Sequence, residues 1–487
     1  MGKETRQPSA LLSLLPFVFL ALLIFFVIRF FGADALGGAS QVALILTAGL
    51  VIAVALGVCR IPFSRLEEAI VDNIKNVSSA VVILLLIGAI GGTWMVSGVV
   101  PTLIVYGLKV ISPGIYLFAA CLICALVSVM TGSSWTTIAT LGVALIAIGG
   151  ALGYSEAWCA GAIISGAYFG DKMSPLSDTT VLASSMSGVP LFTHIRYMAI
   201  TTGPAFIISL VIYLVVSICH PSAGAAHVAE VESVMRSTFN ISPWLLLVPA
   251  AVGVMIWRRV PAILTLLMAA LLAGAAALIA QPELVAQVGG AASLDFRSAF
   301  RGITIMLSDS TAIQTGSESI DELVSTGGMN GMLPTVFLII SAATFGGTMV
   351  GSGMIQSLTD ALTRRINTRF GLVGATLFTG VCANIVMGDQ YLSIVLTSRL
   401  YSEMYRKLRF EGRLLSRSIE DSATVTSVLI PWNSCGMTQS TVLRVPTLTY
   451  VPFCFFNILS PLCSLAVGAI GYKIVREGPE SAAEAPQ

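Results

Sequence analysis

The sequence predicts an all-α, polytopic membrane protein built from two inverted repeats. It is expected to hold about ten full transmembrane helices, two re-entrant hairpins and two broken helices. Three observations predict this: an apolar composition, punctuating residues that recur at a fixed offset, and an asymmetric distribution of basic residues. Of 487 residues, 56% are hydrophobic and 10% charged, against about 25% charged in an ordinary soluble domain. Mean hydropathy is +0.90. Apolar runs recur from end to end at the roughly 17–25 residues needed to cross about 30 Å of hydrocarbon. The net charge of +1 says nothing about nucleic acid and no basic tail is present; the expected surroundings are membrane lipid, with no nucleic acid partner.

The first apolar run, residues 11–28, exceeds a signal-peptide core and has no small-residue cleavage site directly after it. It is expected to be a retained span. A loop around Asp34 leads to a second span at 41–58. Between 60 and 79, Ile61, Phe63, Leu66, Ile70 and Ile74 alternate with Arg65, Glu67, Glu68, Asp72 and Lys75, the spacing of an amphipathic helix lying along the membrane surface. A third span follows at 80–96. Two apolar half-segments, 115–130 and 135–148, meet at Thr131-Gly132-Ser133-Ser134, as two spans or as a re-entrant hairpin. Segment 156–185 is broken by Gly170, Pro175 and their polar neighbours. A full span runs 197–216, a polar stretch 219–240, a helical pair 241–280 around Arg258 and Arg259, and a polar, amphipathic connection 281–331.

The chain then begins again. Gly91-Gly92-Thr93 and Ser97-Gly98 recur as Gly346-Gly347-Thr348 and Ser352-Gly353, an offset of 255. Further on, Gly132 pairs with Gly388, Pro175 with Pro431, Val189-Pro190 with Val445-Pro446 and Thr193 with Thr449, an offset of 256. Even Glu67 has a counterpart, Glu322. A constant offset linking helix-breaking residues is the mark of internal duplication. The expected units are a two-helix segment 1–59, repeat one 60–218, a connecting region 219–314, repeat two 315–472 and a tail 473–487.

Basic residues concentrate on the cytoplasmic side of membrane proteins. With ten spans and two hairpins, nineteen of the 26 lysines and arginines fall on one side, beginning with Lys3 and Arg6 and including Arg364 and Arg365. Six fall on the other, and Lys172 stays within the membrane. Both termini are then cytoplasmic, and the two repeats enter from opposite sides. The count is the same whether the hairpins re-enter or span.

Inverted repeats bring their special elements together near the bilayer centre. Repeat one supplies Thr131, Ser133 and Ser134 at the hairpin tip and Asp171, Lys172, Ser174, Ser177, Asp178, Thr179 and Thr180 at the break. Repeat two supplies Asp389 at its tip, and Asp421, Thr424, Asn433 and Ser434. The breakers are kept but not the charges: Asp178 aligns with Ser434, Ser177 with Asn433, and Ser133 with Asp389. Carboxylate, hydroxyls and freed carbonyls at Ser177-Asp178-Thr179-Thr180 suit a hard alkali cation, which wants oxygen ligands; Asp178, Ser177 and Thr179 are the candidate Na⁺ ligands. Desolvation favours the protonated carboxyl and a bound cation the ionised one, so such a group can trade proton for cation.

Each residue also has a plainer reading. Asp171-Lys172 suits an ion-paired helix end, although neighbours i and i+1 do not face each other on a helix; Lys172 is therefore expected to pair with Asp389 or Asp421. Asp178 suits an N-cap. Glu420 and Asp421 follow a basic run, which suits the cytoplasmic surface, and Asp389 has apolar flanks. Glu67, Glu68, Asp321 and Glu322 suit solvated helix faces. The three histidines, 194, 220 and 227, fall in loops and lack metal-ligand spacing. Nine scattered cysteines, Cys121-x-x-Cys124 included, suit buried thiols rather than a disulfide framework. Gly91-Gly92 and Gly346-Gly347 suit close helix approach.

Gly170-Asp171-Lys172-Met173-Ser174-Pro175-Leu176-Ser177-Asp178-Thr179-Thr180 resembles the signature of the NhaC family of bacterial Na⁺/H⁺ antiporters. Glu420-Asp421-Ser422-Ala423-Thr424 and Ile430-Pro431-Trp432-Asn433-Ser434-Cys435-Gly436 resemble that family's second motif. The likeness spans about residues 61 to 472. It implies an elevator-type transport domain moving against a scaffold, location in the bacterial inner membrane, and a homodimer. The family implies Na⁺ or Li⁺ exchanged for H⁺, with no cofactor beyond Na⁺ as coupling or transported ion. The alternative is a Na⁺- or H⁺-coupled carrier of a small organic acid, such as malate or lactate, or of an amino acid. An enzyme is not expected: there is no HExxH, no facing Ser/His pair and no nucleotide loop. Duplicated broken helices with carboxylates suit alternating access rather than an open pore.

Overall fold

The computed structural model describes residues 7–476, except 32–37, 220–224, 259, 312, 317–320, 322–323, 325, 364–365 and 367. Lys3, Arg6, Asp34, His220, Arg259, Glu322, Arg364 and Arg365 therefore lie outside the described residues. Regular structure among those described is helical, apart from an isolated bridge between Phe410 and Arg476.

The chain opens with α1 (Ala10–Phe31) and α2 (Ala39–Gly57). Next come α3 (Phe63–Val96), α4 (Val99–Val110) and α5 (Tyr116–Thr131). The return arm of the first hairpin is α6 (Ser134–Thr137), a π-turn (Ile138–Gly142) and α7 (Val143–Ala151). The broken pair α8 (Glu156–Met173) and α9 (Asp178–Met186) leads to the long α10 (Leu191–Cys219). Then follow α11 (Ala225–Thr238), α12 (Leu247–Trp257), α13 (Ala262–Ala280), α14 (Pro282–Val288) and α15 (Phe296–Ser308).

The second unit opens with α16 (Leu333–Gly351) and α17 (Met354–Thr363). Its hairpin is α18 (Arg369–Met387) and α19 (Gln390–Lys407). Its broken pair is α20 (Gly412–Ile419), which runs into a π-turn (Glu420–Thr424), and α21 (Ser434–Leu443). The chain closes with α22 (Thr447–Tyr450) and α23 (Phe455–Ile470).

Among the described residues nine helices are long and apolar enough to cross a membrane, or up to eleven if each of two bent pairs counts as one span. The expected ten fall within that range. Both stretches of the first hairpin, Pro113–Thr131 and Ser134–Ala151, meet the length test.

Left-handed residues recur at the sequence offset: Arg60 with Gly316, Gly98 with Gly353, Gly132 with Gly388, Gly153 with Arg409, and Gly188 with Arg444. A positive φ is costly for any residue with a Cβ, so these are defined turns that share the spacing read from the sequence.

Three expectations are corrected. Residues 60–79 do not form a separate surface helix. They continue into 80–96 as the single 34-residue α3, because no glycine or proline interrupts 64–87. The polar face, Arg65, Glu67, Glu68, Asp72 and Lys75, is exposed as expected. The other face docks on α16: Asn73 is buried and its side-chain amide donates to the Ala343 carbonyl at 2.6 Å. Gly347 makes this possible, since a Cβ there would lie 2.6 Å from the Ile70 Cα. The polar stretch 219–240 holds α11, bent by 92° from the following helical segment, Pro243–Trp257. His194 is not in a loop but fully buried in α10, and position 227 falls within α11.

The buried core is divided. One apolar cluster joins the upper part of α3 to α4, α5, α8, α10 and α13. A second joins α1, α2, the first half of α3, α16 and α18; a third joins α9, α10, α18, α19 and α20. All nine cysteines are free thiols, and Cys121 and Cys124 sit in the first cluster.

Candidate functional site

Both helix breaks and both hairpin turns are built by local chemistry. In the first hairpin Gly132 turns the chain at φ +68°, and Ser133 caps the next helix by accepting from the Thr136 amide at 3.2 Å. In the second, Gly388 turns at φ +64°, and Asp389 Oδ1 accepts from the amides of Tyr391 and Leu392 at 2.9 and 3.1 Å. An unpaired helix N-terminus favours a negative charge, so Asp389 is held by its own helix. At the first break Ser177 precedes α9 in extended conformation. At the second Asn433 accepts from the Cys435 amide at 3.0 Å.

These turns converge on one cavity of about 610 Å³. The first hairpin gives it Thr131, Gly132 and Ser133. The first break gives Asp171, Ser177, Asp178 and Thr179, and the second hairpin gives Asp389, Gln390 and Tyr391. The facing wall is Asn76, Ser79 and Ile83 of α3, with Val260, Pro261 and Thr265 at the start of α13.

Three carboxylates line this space in different settings. Asp171 is buried, and its Oδ2 accepts from the Ser134 amide and hydroxyl at 3.1 and 2.7 Å. Asp389 is buried, and its Oδ2 accepts from the Ser434 hydroxyl at 3.0 Å. Thus each buried carboxylate is held across the structure by a serine opening a helix of the other half-motif. Asp178, the first residue of α9, is exposed. Beside it the hydroxyls of Ser177 and Thr179 lie 3.0 Å apart. Among the described residues no three His, Cys, Asp or Glu side chains form a metal-holding group. A cation here would be met by single carboxylates with hydroxyls and carbonyls.

The other expected residues stand behind this surface. Ser174 donates to the Val129 carbonyl at 2.7 Å, and Thr180 to the Lys172 carbonyl at 3.0 Å, so both brace the break. Asn433 donates to the Asn384 carbonyl at 3.1 Å. None of these three lines the cavity.

Lys172 points away from its neighbour Asp171. Of the two partners expected for it, Asp421 is the one it meets, in a fully buried ion pair. Ser460 bridges the pair, lying 3.0 Å from the Lys172 ammonium and donating to Asp421 Oδ1 at 2.9 Å, while Thr201 donates to Asp421 Oδ2 at 2.9 Å. Arg417, also fully buried, lies 3.9 Å from Asp421 and 4.7 Å over the Tyr197 ring. Glu420 and Thr424 share the same π-turn and are buried, so the surface location that the basic run suggested for Glu420 is corrected. The sequence reading missed that Arg417, Glu420 and His194 lie inside; for Arg417 and Glu420 the signal was an apolar spacing of Leu414, Leu415 and Ile419 that runs through the basic stretch.

A bundle of membrane-length helices enclosing a carboxylate-lined cavity between broken helices is the construction of a multi-pass membrane transporter. The sequence matches the Na⁺/H⁺ antiporter family over residues 3–167 and 166–472. The chain belongs to that family. It is 38% identical over 418 residues to the Na⁺/H⁺ antiporter NhaC of Alkalihalophilus pseudofirmus, covering 86% of this chain and 87% of the relative. It is 35% identical to the Na⁺/H⁺ antiporter NhaC of Bacillus subtilis, covering 84% and 88%. It is likewise 35% identical to the malate-2H⁺/Na⁺-lactate antiporter of Bacillus subtilis, covering 84% and 85%.

Proposed function

We propose that the chain is a secondary active transporter that exchanges Na⁺ or Li⁺ for H⁺ by alternating access. The single observation carrying this reading is the convergence of Asp171, Asp178 and Asp389 on one cavity where a helix break and two hairpin turns meet. Asp178 with Ser177 and Thr179 forms the cation-binding group, and Asp171 and Asp389 are the second-line carboxylates, each held by a serine. Thr131 and Ser133 add hydroxyls from the first hairpin. Na⁺ is the coupling ion.

In this reading the two units, 60–218 and 315–472, are inverted repeats around a connection 219–314. The 1–59 segment precedes them and the 473–487 tail follows. The hairpins and broken helices move as a transport domain against a scaffold that includes α3 and α13. The protein sits in the cytoplasmic membrane with both termini inside, as a homodimer in lipid. The charge asymmetry and the paired left-handed turns support this arrangement.

A second reading is favoured by the size of the cavity. Its volume of about 610 Å³ falls in the range of small-molecule pockets, roughly 300–1,000 Å³. A Na⁺- or H⁺-coupled exchanger of a small organic acid or amino acid would use that space. Likeness to the malate/lactate antiporter supports it as well.

Asp178→Asn is expected to reduce Na⁺-driven proton movement in everted vesicles to that of vesicles lacking the protein, with the variant remaining monodisperse. Wild-type exchange in that variant would remove Asp178 from the site. A thermal-shift screen of the purified protein separates the two readings. Stabilisation by Na⁺ or Li⁺ alone supports cation exchange. Na⁺-dependent stabilisation by malate, lactate or an amino acid supports the carrier.

A further inference from the structure

The Glu420 carboxyl has no role in the cavity. It is fully buried, neither of its oxygens makes a well-formed hydrogen bond among the described residues, and the side chain beside it is the Thr424 hydroxyl of the same π-turn. Nearby carboxylates are treated differently. Asp421 receives an ammonium and two hydroxyls, Asp171 an amide and a hydroxyl, Asp389 two amides and a hydroxyl. An ionised carboxylate buried without donors is expensive, whereas the neutral acid is not. Intramembrane ionisable residues of this kind mark proton or ion pathways.

We propose that Glu420 is a proton-binding site distinct from the cation cavity, and that cation binding in the cavity that Asp171 lines expels its proton. The inference rests on the Na⁺/H⁺ exchange reading above. Its geometry comes from the end of α8. Asp171 lines the cavity while Lys172, the next residue, turns into the buried ion cluster. Glu420 is the neighbour of Asp421 in sequence as Asp171 is of Lys172, so the Lys172–Asp421 ion pair joins the two carboxyl-bearing positions.

The surrounding charges are accounted for. Lys172 and Asp421 are committed to each other. Arg417, one turn before Glu420, is stacked on Tyr197 and within 4.0 Å of Asp421, not of Glu420. Buried His194 on α10 faces the Lys172–Asp421 pair, and both of its ring nitrogens lack a partner. Of the remaining elements packed on the π-turn, α9 brings Asp178. Helix α19 brings the exposed Arg399 and Glu403 and, at its end, Arg406 and Lys407, while α18 and α23 carry no charge beyond Arg369 at the far end of α18.

The coupling follows from charge alone. With the cavity empty, the anionic Asp171 favours the neutral acid at Glu420. A cation held in the cavity beside Asp171 offsets that charge, the Glu420 O–H bond breaks, and the proton passes to water. By linkage, a proton on Glu420 weakens cation binding by the same factor. Proton and cation compete without sharing a ligand.

The test uses the full-length protein, purified in detergent and monitored with a pH dye, and reconstituted for transport. Adding NaCl to wild type is expected to release protons and to remove a protonated-carboxyl band from the difference infrared spectrum. Glu420→Gln is expected to lose both signals and Na⁺/H⁺ exchange, to keep thermal stabilisation by Na⁺, and to lose the pH dependence of that stabilisation. Glu420→Asp is expected to restore proton release with a shifted infrared band. Na⁺ stabilisation without proton release in wild type, or release unchanged in Glu420→Gln, overturns the proposal. If Glu420→Gln does not fold, the infrared band of wild type against Glu420→Asp decides: an unshifted band overturns it. If Na⁺ neither stabilises nor is exchanged by wild type, the exchange reading fails instead.

Discussion

Lys172 and Asp421 form an ion pair sealed from solvent, with Ser460 and Thr201 satisfying the remaining carboxylate lone pairs. Removing one partner of such a pair leaves an uncompensated buried charge, which costs about 3–5 kcal/mol, while replacing both with apolar groups is often neutral. Lys172→Met is therefore expected to lower the melting temperature in detergent markedly, and Lys172→Met with Asp421→Leu to recover most of the loss. Additive losses in the double variant would show that the pair is not a unit. That Lys172 needs a partner was legible in the sequence, since a lysine in an apolar segment cannot stand alone. Which partner was not, because Asp389 and Asp421 are equally distant in the chain's logic and only the packing of α8 against the π-turn separates them. Glu420 was misread for a related reason. Arg399 to Arg417 looks like a cytoplasmic run, yet Arg417 is buried over an aromatic face that the sequence does not reveal.

At the level of elements, the turns were the most legible feature. Gly132 and Gly388 sit at φ +68° and +64°, a conformation that disfavours a Cβ, and the offset between them is what suggested a duplication in the sequence. A Cβ at Gly132 would also lie 2.6 Å from the Leu176 carbonyl carbon, inside the first break. Gly132→Ala thus strains the hairpin and pushes it against the segment that carries Ser177 and Asp178. The left-handed strain alone is worth about 1–2 kcal/mol. We expect lowered thermal stability and reduced exchange, with Gly150→Ala, whose Cβ would meet open space, unchanged in both assays. Equal behaviour of the two variants would show that the hairpin tolerates a side chain. The continuity of α3 was illegible for a physical reason. Its first half has the polarity of a surface helix, and what covers its other face is α16, a helix some 270 residues away.

For the whole molecule, the cavity has a direction. Its wall includes Asn76 and Ser79 on α3 and Pro261 before α13, all exposed. Lys75 and Arg258 flank these residues, and both belong to the side that the charge asymmetry makes cytoplasmic. A smaller cavity of about 250 Å³, with Glu156, Thr326 and Arg444 in its wall, lies farther along α3 beside Gly91 and Met95. Helix α3 runs past both, giving Asn76 to Ile83 to the first space and Ile87 to Met95 to the second. In the orientation proposed above the first space faces the cytoplasm, and alternating access would require that it close when the second opens. Ser79→Cys, in a background without the native cysteines, is expected to react with a membrane-impermeant maleimide in inside-out vesicles and not in right-side-out vesicles. Thr326→Cys is expected to react in the opposite vesicles, and Na⁺ to change the two labelling rates in opposite senses. Simultaneous labelling of both positions, indifferent to Na⁺, would describe a pore. Reversed sidedness would overturn the orientation while leaving the exchange mechanism intact, because the cavity and its three carboxylates do not depend on which face of the membrane they meet first.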